Sequence, residues 1–164
     1  MPAYKAPLRD TRFLMNEVFD YPAHYQTLSN GELADSDTVD MILEGAADYC
    51  ENVISPLYQT GDDEGCHWNN GEVTTPKGYK EAYDQFVQSG WQGLSYPEQY
   101  GGQGLPMSLN LIKSEMMGTA NWAFTMYPGL SMGCMNTILQ FGTEEQKDIY
   151  MPPLFQVPGQ GPCV

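Results

Sequence analysis

The stretch MMGTANWAFTMYPGLSMGCMNTILQFGT, residues 116–143, contains no charged side chain. Its length would be enough to span a membrane. Asparagine, threonine, serine, glutamine and proline interrupt it, however, and polar side chains are costly where they face lipid. We therefore interpret the region 105–142 as two helices buried inside a protein. The division is predicted near Pro128, because proline disfavours a helix interior.

A helix is also predicted directly downstream of this region. Thr143 is followed by Glu-Glu-Gln, the spacing of a capping box in which the Gln146 side chain bonds back to the cap amide. The same pattern predicts that this helix ends at Pro152-Pro153. Upstream, the segment 91–106 holds four glycines and two prolines, which indicates a tightly packed loop.

Three more helices are predicted toward the amino terminus. Thr75 and Pro76 indicate the start of one that ends at Gly90. Another starts after Ser36 or Asp37 as the N-cap, and Pro56 ends or kinks it. In these helices and in the opening one, the apolar residues recur at helical intervals. They are Tyr79, Tyr83, Phe86 and Val87 in the helix that ends at Gly90; Val39, Ile42, Leu43, Ala46, Ala47, Cys50 and Ile54 in the helix before Pro56; and Phe13, Leu14, Val18 and Phe19 in the opening helix. Alternation of period two is nearly absent, so we expect an all-α domain of about six helices without strands.

The charge balance excludes several kinds of partner. The chain has 21 acidic against seven basic residues, a formal charge of -14. Nucleic-acid binding requires clustered lysine and arginine, and an anionic membrane surface would repel this chain. The four cysteines lack zinc-site spacing, and the amino terminus lacks a secretion signal. We therefore expect a cytoplasmic protein with reduced thiols.

Metal and catalytic sites find little support in the sequence. The acidic loop within residues 61–73 is either a calcium or zinc site or a solvated acidic loop, and its spacing, which is not that of an EF-hand, favours the second. His24 and His67 have no partners at triad or zincin spacing. No carboxylate stands in an apolar stretch as a poised base would. We expect no metal site and no catalytic residue.

One helix face could bind an apolar ligand. Six of the ten methionines lie between residues 107 and 135, which suits either core packing or a wall against a flexible ligand. Thr125, Gly129 and Gly133 recur every four residues and would form a shallow groove, or a close helix contact. The opposite face is predicted to be buried, with Leu130, Cys134, Thr137, Ile138 and Phe141.

Several phrases resemble the acyl-CoA dehydrogenase family. They are GWQGLSYPEQYGGQGLP at residues 90–106 and QFGTEEQKDIYMPPL at residues 140–154. The opening MPAYKAPLRDTRF and the phrase TTPKGYKEAYDQFVQSGW, residues 74–91, resemble the bacterial branch that includes 3-methylmercaptopropionyl-CoA dehydrogenases. The resemblance divides the chain into an amino-terminal extension at 1–35, the family's helical domain at 36–154, and an aberrant tail at 155–164.

The resemblance implies a specific chemistry. In this family a β-barrel and a four-helix domain follow the helical domain, and FAD lies between them with help from a neighbouring subunit of a homo-oligomer. A glutamate of the last domain removes the α-proton of the acyl-CoA substrate, a hydride passes to the flavin, and an electron-transfer flavoprotein takes the electrons. The helix matching residues 125–141 lines the acyl chain, which implies substrate contacts from Thr125, Met126, Gly129 and Gly133.

The tail departs from the family pattern. After Leu154 the family continues toward a Trp-Thr-Gly-Thr-Met-Cys type sequence, whereas this chain reads FQVPGQGPCV. Permitted codons for the tail encode that motif in another reading frame, so we hypothesise a frameshift near Leu154, which an in-frame read of independent DNA would refute. The expectation is a truncated domain without FAD or dehydrogenase activity of its own. The alternative is a stand-alone helical module that binds acyl groups or docks on subunits.

Overall fold

The computed structural model of the chain describes residues 3–156. Its elements, in chain order, are α1 (Leu8–Phe13), α2 (Tyr21–Tyr25), α3 (Ser36–Tyr49), α4 (Leu57–Glu64), β1 (His67–Asn69), β2 (Glu72–Thr74), α5 (Tyr79–Gln88), α6 (Met107–Ala120), α7 (Trp122–Phe141) and α8 (Glu144–Gln156). The predicted helical fold class is confirmed. These residues hold eight α-helices rather than about six, because α2 follows the opening helix and Pro56 separates α3 from α4.

The main core forms around α3 and the π-helical turn Cys50–Ile54 that continues it. The predicted apolar face of α3 is buried at Ile42, Leu43 and Ala46. The N-cap is Asp35 rather than Ser36 or Asp37, since its Oδ1 accepts a hydrogen bond from the Thr38 amide at 2.7 Å. Helices α5 and α6 and the start of α7 pack their buried side chains against this face.

The amino-terminal segment is tied to the main core by ion pairs. Lys5 pairs with Glu51, and the Ala6 amide donates to the same carboxylate. Arg12 contacts Asp40 and Glu44 of α3 at 2.7 and 2.8 Å. The apolar residues predicted at helical intervals in this segment stay exposed, at Phe13, Leu14, Val18 and Phe19.

A hairpin contradicts the expectation of no strands. Strands β1 and β2 pair antiparallel with Trp68 opposite Val73. Asn70 and Gly71 connect them with φ of 49° and 90°. Positive φ at both central residues is the geometry that makes Asn-Gly a hairpin turn. The acidic loop prediction for 61–73 is therefore wrong over most of its length, since α4 also extends to Glu64.

The predicted start of α5 is wrong by a few residues, and its end is confirmed. The helix begins at Tyr79, after Gly78, rather than at Thr75 and Pro76. The preceding turn is held by the Glu64 carboxylate, which accepts a hydrogen bond from the Lys77 amide at 3.1 Å. At the other end the Gly90 amide donates to the Val87 carbonyl, and the chain leaves the helix.

The division between α6 and α7 falls at Asn121, not at Pro128. Asn121 is extended, with φ of -160°, and its Oδ1 accepts from the Phe124 amide at 3.0 Å. Its Nδ2 donates to the Ile54 carbonyl at 2.9 Å, so the break is anchored in the core. Pro128 lies buried inside α7. The buried Asn121 cap, with its two hydrogen bonds, outweighs the cost of Pro128, which lacks an amide donor and crowds the carbonyl four residues earlier.

Helix α8 has the predicted beginning and a different end. The Thr143 amide donates to Gln146 Oε1 at 2.9 Å and the Gln146 amide to Thr143 Oγ1 at 3.2 Å, which confirms the capping box. The helix continues through Pro152-Pro153, so the end predicted there is wrong. Met151 and Phe155 are buried on both sides of the prolines against Tyr96 and Tyr100, and tertiary packing outweighs local propensity.

Most of the aberrant tail, including the residues of the frameshift hypothesis from Pro158 onward and Cys163, lies outside the described residues. Within residues 3–156, no helix combines the length and apolar character needed to cross a membrane.

Candidate functional site

An open groove of about 370 Å³ runs along α7 where it meets α6 and α5. Its walls are mostly apolar and are formed by side chains such as Phe86, Met117, Trp122, Leu130 and Met132. The Asn121 cap sets the position of α7 relative to α6, because its side chain bonds to both α7 and the core. The groove is therefore a direct product of the break at Asn121.

Three of the four residues predicted to contact substrate line this groove. Thr125, Met126 and Gly129 are among its lining residues. Thr125 Oγ1 donates to the Asn121 carbonyl at 2.8 Å, so its hydroxyl is occupied. A methyl group built at Gly129 would meet no atom within 4 Å. Gly133 lies one turn further along α7, equally open, and does not line the groove.

The face of α7 predicted to be buried is mostly exposed: Leu130, Thr137 and Phe141 are exposed, and Cys134 and Ile138 are half-buried. Leu130 and Phe141 are 54% and 77% exposed. The buried positions of α7 are Phe124, Pro128, Ser131 and Met135. The helix is apolar on nearly every side, and such a helix has no clear amphipathic face that would identify its buried side. Leu130 is a groove residue, which sequence reasoning missed.

The loop 90–106 is tightly packed, as predicted, and one of its side chains bonds to the α7 backbone beside the groove. Backbone hydrogen bonds fold it on itself, for example from the Gln103 amide to the Gly93 carbonyl at 3.0 Å. A Cβ at Gly102 would clash with the Tyr96 carbonyl. The loop places Gln92, 2% exposed, so that its Nε2 donates to the Pro128 carbonyl at 3.3 Å.

Lys113 is the groove residue with the most unusual environment. It lies on α6, 3% exposed, and lines the groove. Its Nζ donates to the Trp91 carbonyl at 2.9 Å and lies 5.4 Å from the centre of the Phe86 ring. Burial lowers the pKa of Lys113 from 10.5 to about 8, and burial raises the pKa of the nearby Cys50 thiol to about 12.

Sequence reasoning did not single out Lys113, although a signal was present. It is the only basic residue between Lys80 and Lys147. Its acidic neighbour Glu115 is two residues further along α6, a spacing at which helical side chains do not face each other. A lone base of this kind either reaches solvent or becomes a buried cation with unusual properties.

The region that contains the groove matches a known family. The sequence model of the acyl-CoA dehydrogenase N-terminal domain matches residues 36–157. The chain belongs to the acyl-CoA dehydrogenase family. Every element from α3 onward, and hence the whole groove, lies in the family region.

Relatives and solved structures agree with this membership. The chain is 38% identical over 153 residues to a 3-methylmercaptopropionyl-CoA dehydrogenase of Ruegeria pomeroyi, which covers 92% of this chain and 26% of the relative. It is similar to the structure of butyryl-CoA dehydrogenase from Megasphaera elsdenii, with a TM-score of 0.60 and 25% identity over 74% of this chain and 30% of that one. A chain from a structural study of the electron transferring flavoprotein of Acidaminococcus fermentans shares the fold, with a TM-score of 0.57 and 24% identity over 72% of this chain and 28% of that one.

The chain spans about a quarter of the length of its acyl-CoA dehydrogenase relative. Among residues 3–156, no group of three or more histidine, cysteine or acidic side chains could hold a metal ion. The residues that line the groove include no carboxylate, histidine or cysteine. The groove can therefore hold an apolar group, and Lys113 is the one titratable side chain among the described residues that line it.

Proposed function

We propose that this chain forms one wall of the acyl-chain pocket of an FAD-dependent acyl-CoA dehydrogenase. Thr125, Met126 and Gly129 contact the acyl group in this proposal, and Gly133 extends the wall at its far end. The observation that carries the proposal is the open apolar groove beside a side-chain-free position, Gly129, within the family region. An alkyl chain in such a groove loses its contact with water, which stabilises binding by about 0.8 kcal/mol for each buried methylene.

The described residues contribute orientation rather than chemistry in this proposal. Hydride acceptance would be the chemistry that FAD supplies, and the base for the α-proton of the acyl-CoA would lie outside the groove. Helix α7 keeps the alkyl chain extended and dry. Thr125 directs its hydroxyl into the helix, to the Asn121 carbonyl, so it presents mainly its methyl group to a ligand. The α7 side of the groove is therefore apolar even at Thr125.

The residues present do not fit FAD. The pyrophosphate of a dinucleotide needs basic side chains or clustered amides. Within residues 3–156, four of the bases are paired with carboxylates, at Lys5, Arg12, Lys80 and Lys147. Lys113 is the one base of this range that lines the apolar groove, and Arg9 and Lys77 are exposed and lie outside it, so these residues form no basic cluster in the groove. We therefore propose that other parts of the full-length enzyme and a neighbouring subunit hold FAD, and that this chain alone lacks dehydrogenase activity.

The remaining assignments follow from family membership. We propose that residues 36–154 act as the acyl-binding helical domain, with residues 1–35 as an extension fastened by Arg12 to α3. The full-length enzyme would act as a homo-oligomer on acyl-CoA and pass electrons to an electron-transfer flavoprotein. We place it in the cytoplasm, where the thiols of Cys50, Cys66 and Cys134, which are free in this structure, stay reduced.

The proposal is tested by filling the groove. Gly129→Leu adds a side chain into open space and leaves the core untouched. The matched control is Ala123→Leu, an exposed position of the same helix outside the groove. The probe is the hexanoyl thioester of N-acetylcysteamine, which carries an alkyl chain without the phosphates of CoA, titrated by nuclear magnetic resonance into the 164-residue chain.

We expect Gly129→Leu to weaken binding by roughly 30-fold, since two to three methylenes lose their burial, while Ala123→Leu binds as the unmodified chain does. Equal affinities of the two variants would refute the assignment of the groove to the acyl chain. Binding that leaves the resonances of α7 unchanged would refute it as well.

A further inference from the structure

The amine of Lys113 is a buried cation without a counter-ion. A lysine ammonium has three hydrogen-bond donors, and the structure gives Lys113 Nζ one hydrogen bond, to the Trp91 carbonyl. The ion pairs among residues 3–156 involve Lys5, Arg12, Lys80 and Lys147 and leave Lys113 out. The Phe86 ring compensates part of the charge.

Nothing in the immediate surroundings neutralises this charge. Cys50 is the titratable side chain coupled to Lys113, and burial raises the pKa of its thiol to about 12, so it stays uncharged at neutral pH. With its pKa lowered to about 8, the Lys113 amine is still mostly protonated at neutral pH. A desolvated charge of this kind gains from an anion brought within hydrogen-bond distance, because water screens neither partner.

The position of Lys113 suits the end of an acyl chain. It lies on α6, across the groove from the α7 positions assigned to the alkyl group, and shares the groove with Met117, Met126 and Leu130. The apolar walls would hold methylene groups, and the cation would hold a polar end. A carboxylate offers two oxygens to the two donors that lack protein partners.

We propose that Lys113 is a specificity-determining residue that binds the terminal carboxylate of a dicarboxylic acyl thioester lying in the groove. This inference rests on the proposed function, since it assumes that the groove receives an acyl chain, and it names the substrate class that the groove prefers. A purely structural role of Lys113, as a tie between α6 and the Trp91 carbonyl, is the competing explanation that the experiment must exclude.

The experiment compares two probes of equal chain length on the 164-residue chain. They are the adipic acid mono-thioester of N-acetylcysteamine, which ends in a carboxylate, and the hexanoyl thioester, which ends in a methyl group. Lys113→Met keeps an unbranched side chain, one heavy atom shorter, and removes the charge. Lys77→Met is the matched control, because the Lys77 side chain is exposed and lies outside the groove.

We expect Lys113→Met to weaken binding of the adipic probe at least about tenfold, the usual worth of a charged hydrogen bond, and to change binding of the hexanoyl probe less than about twofold. Lys77→Met is expected to bind both probes as the unmodified chain does. Equal loss for both probes, or no loss for the adipic probe, would overturn the proposal in favour of a structural role. Displacement of the adipic probe by an equal concentration of inorganic phosphate would overturn the carboxylate assignment.

A second measurement needs no variant and so does not depend on the folding of Lys113→Met. Raising the pH from 7 to 10 deprotonates the Lys113 amine and leaves the Cys50 thiol protonated, given pKa values of about 8 and about 12. The adipic probe should then bind at least about fivefold more weakly at pH 10, with little change for the hexanoyl probe. Parallel behaviour of the two probes would contradict the proposal.

The two proposals fail separately. Hexanoyl binding that Gly129→Leu abolishes, together with adipic binding that ignores Lys113, would keep the acyl wall and refute the role of Lys113. Adipic binding that depends on Lys113 without any hexanoyl binding would keep the anion site and refute the acyl wall.

Discussion

Replacing Asn121 by alanine tests whether a single buried cap holds the groove together. Asn121 is fully buried, at 0% exposure. Its Oδ1 caps α7 at the Phe124 amide, and its Nδ2 donates to the Ile54 carbonyl at 2.9 Å and contacts the Tyr79 hydroxyl at 3.3 Å. One side chain thus joins α7 to the π-helical turn and to α5.

The expected loss of stability follows from these contacts. Removing an N-cap costs about 1 kcal/mol. Leaving the Ile54 carbonyl buried without its partner adds about 1–3 kcal/mol. We therefore expect Asn121→Ala to lower the free energy of unfolding by about 3 kcal/mol, equivalent to about 6–12 °C in Tm for a chain of this size.

Chemical denaturation and a thermal scan, both followed by circular dichroism, would measure this loss. Asn121→Ser keeps a cap oxygen but cannot donate as Nδ2 does, so an intermediate loss is expected. Asp35→Ala removes the exposed cap of α3, which bonds only the Thr38 amide, and should cost about 1 kcal/mol. If Asn121→Ala cost no more than Asp35→Ala, the reasoning that Asn121 anchors the α6–α7 break would be refuted.

Three further predictions concern other parts of the fold. Gly102→Ala should destabilise the chain by more than about 2 kcal/mol, because its Cβ would clash with the Tyr96 carbonyl. Gly129→Ala, whose Cβ enters open space, should be neutral or stabilising by up to about 1 kcal/mol, and Tm measures both effects. Similar Tm values for both variants would contradict the packing described for the 90–106 loop. Thr143→Ala should cost about 1 kcal/mol by loss of the capping box, measured by urea unfolding, and an unchanged midpoint would contradict that role. For Lys113, the folded-state pKa of about 8 lies below the unfolded value of 10.5, so the unfolded chain binds more protons between these values and the contribution of Lys113 to stability rises with pH. The stability of the unmodified chain relative to Lys113→Met should therefore increase by about 2–3 kcal/mol from pH 7 to pH 10 in urea unfolding, and a flat or falling difference would show that the amine is not desolvated.

Features that depend on a few adjacent residues could be predicted from the sequence. The Thr143 capping box needs only the order of four residues, and the end of α5 at Gly90 needs only a glycine after an amphipathic helix. The hairpin at Asn70-Gly71 was equally local. It was missed because its short, exposed strands give no alternation of buried residues.

Features that depend on tertiary contacts could not be predicted in the same way. Asn121 ends α6 because its side chain reaches Ile54, far away in the chain, whereas Pro128 carries the stronger local signal and lies inside a helix. The buried side of α7 is set by its neighbours, since apolar residues occupy nearly all sides of that helix. Helical spacing was enough to predict that Gly129 lines the groove. Lys113 lines it only because α6 packs against α7, and the sequence does not show that packing.

The proposed acyl wall is tested most plainly by locating a bound acyl chain on the protein. Nuclear Overhauser contacts would be recorded between the terminal methyl group of a carbon-13-labelled hexanoyl thioester of N-acetylcysteamine and the assigned protons of the chain. We expect contacts with the Met126 methyl group and the Gly129 α-protons, on the open side of α7. Contacts confined to residues outside the groove, with none to α7, would show that this helix does not form a wall of the acyl pocket.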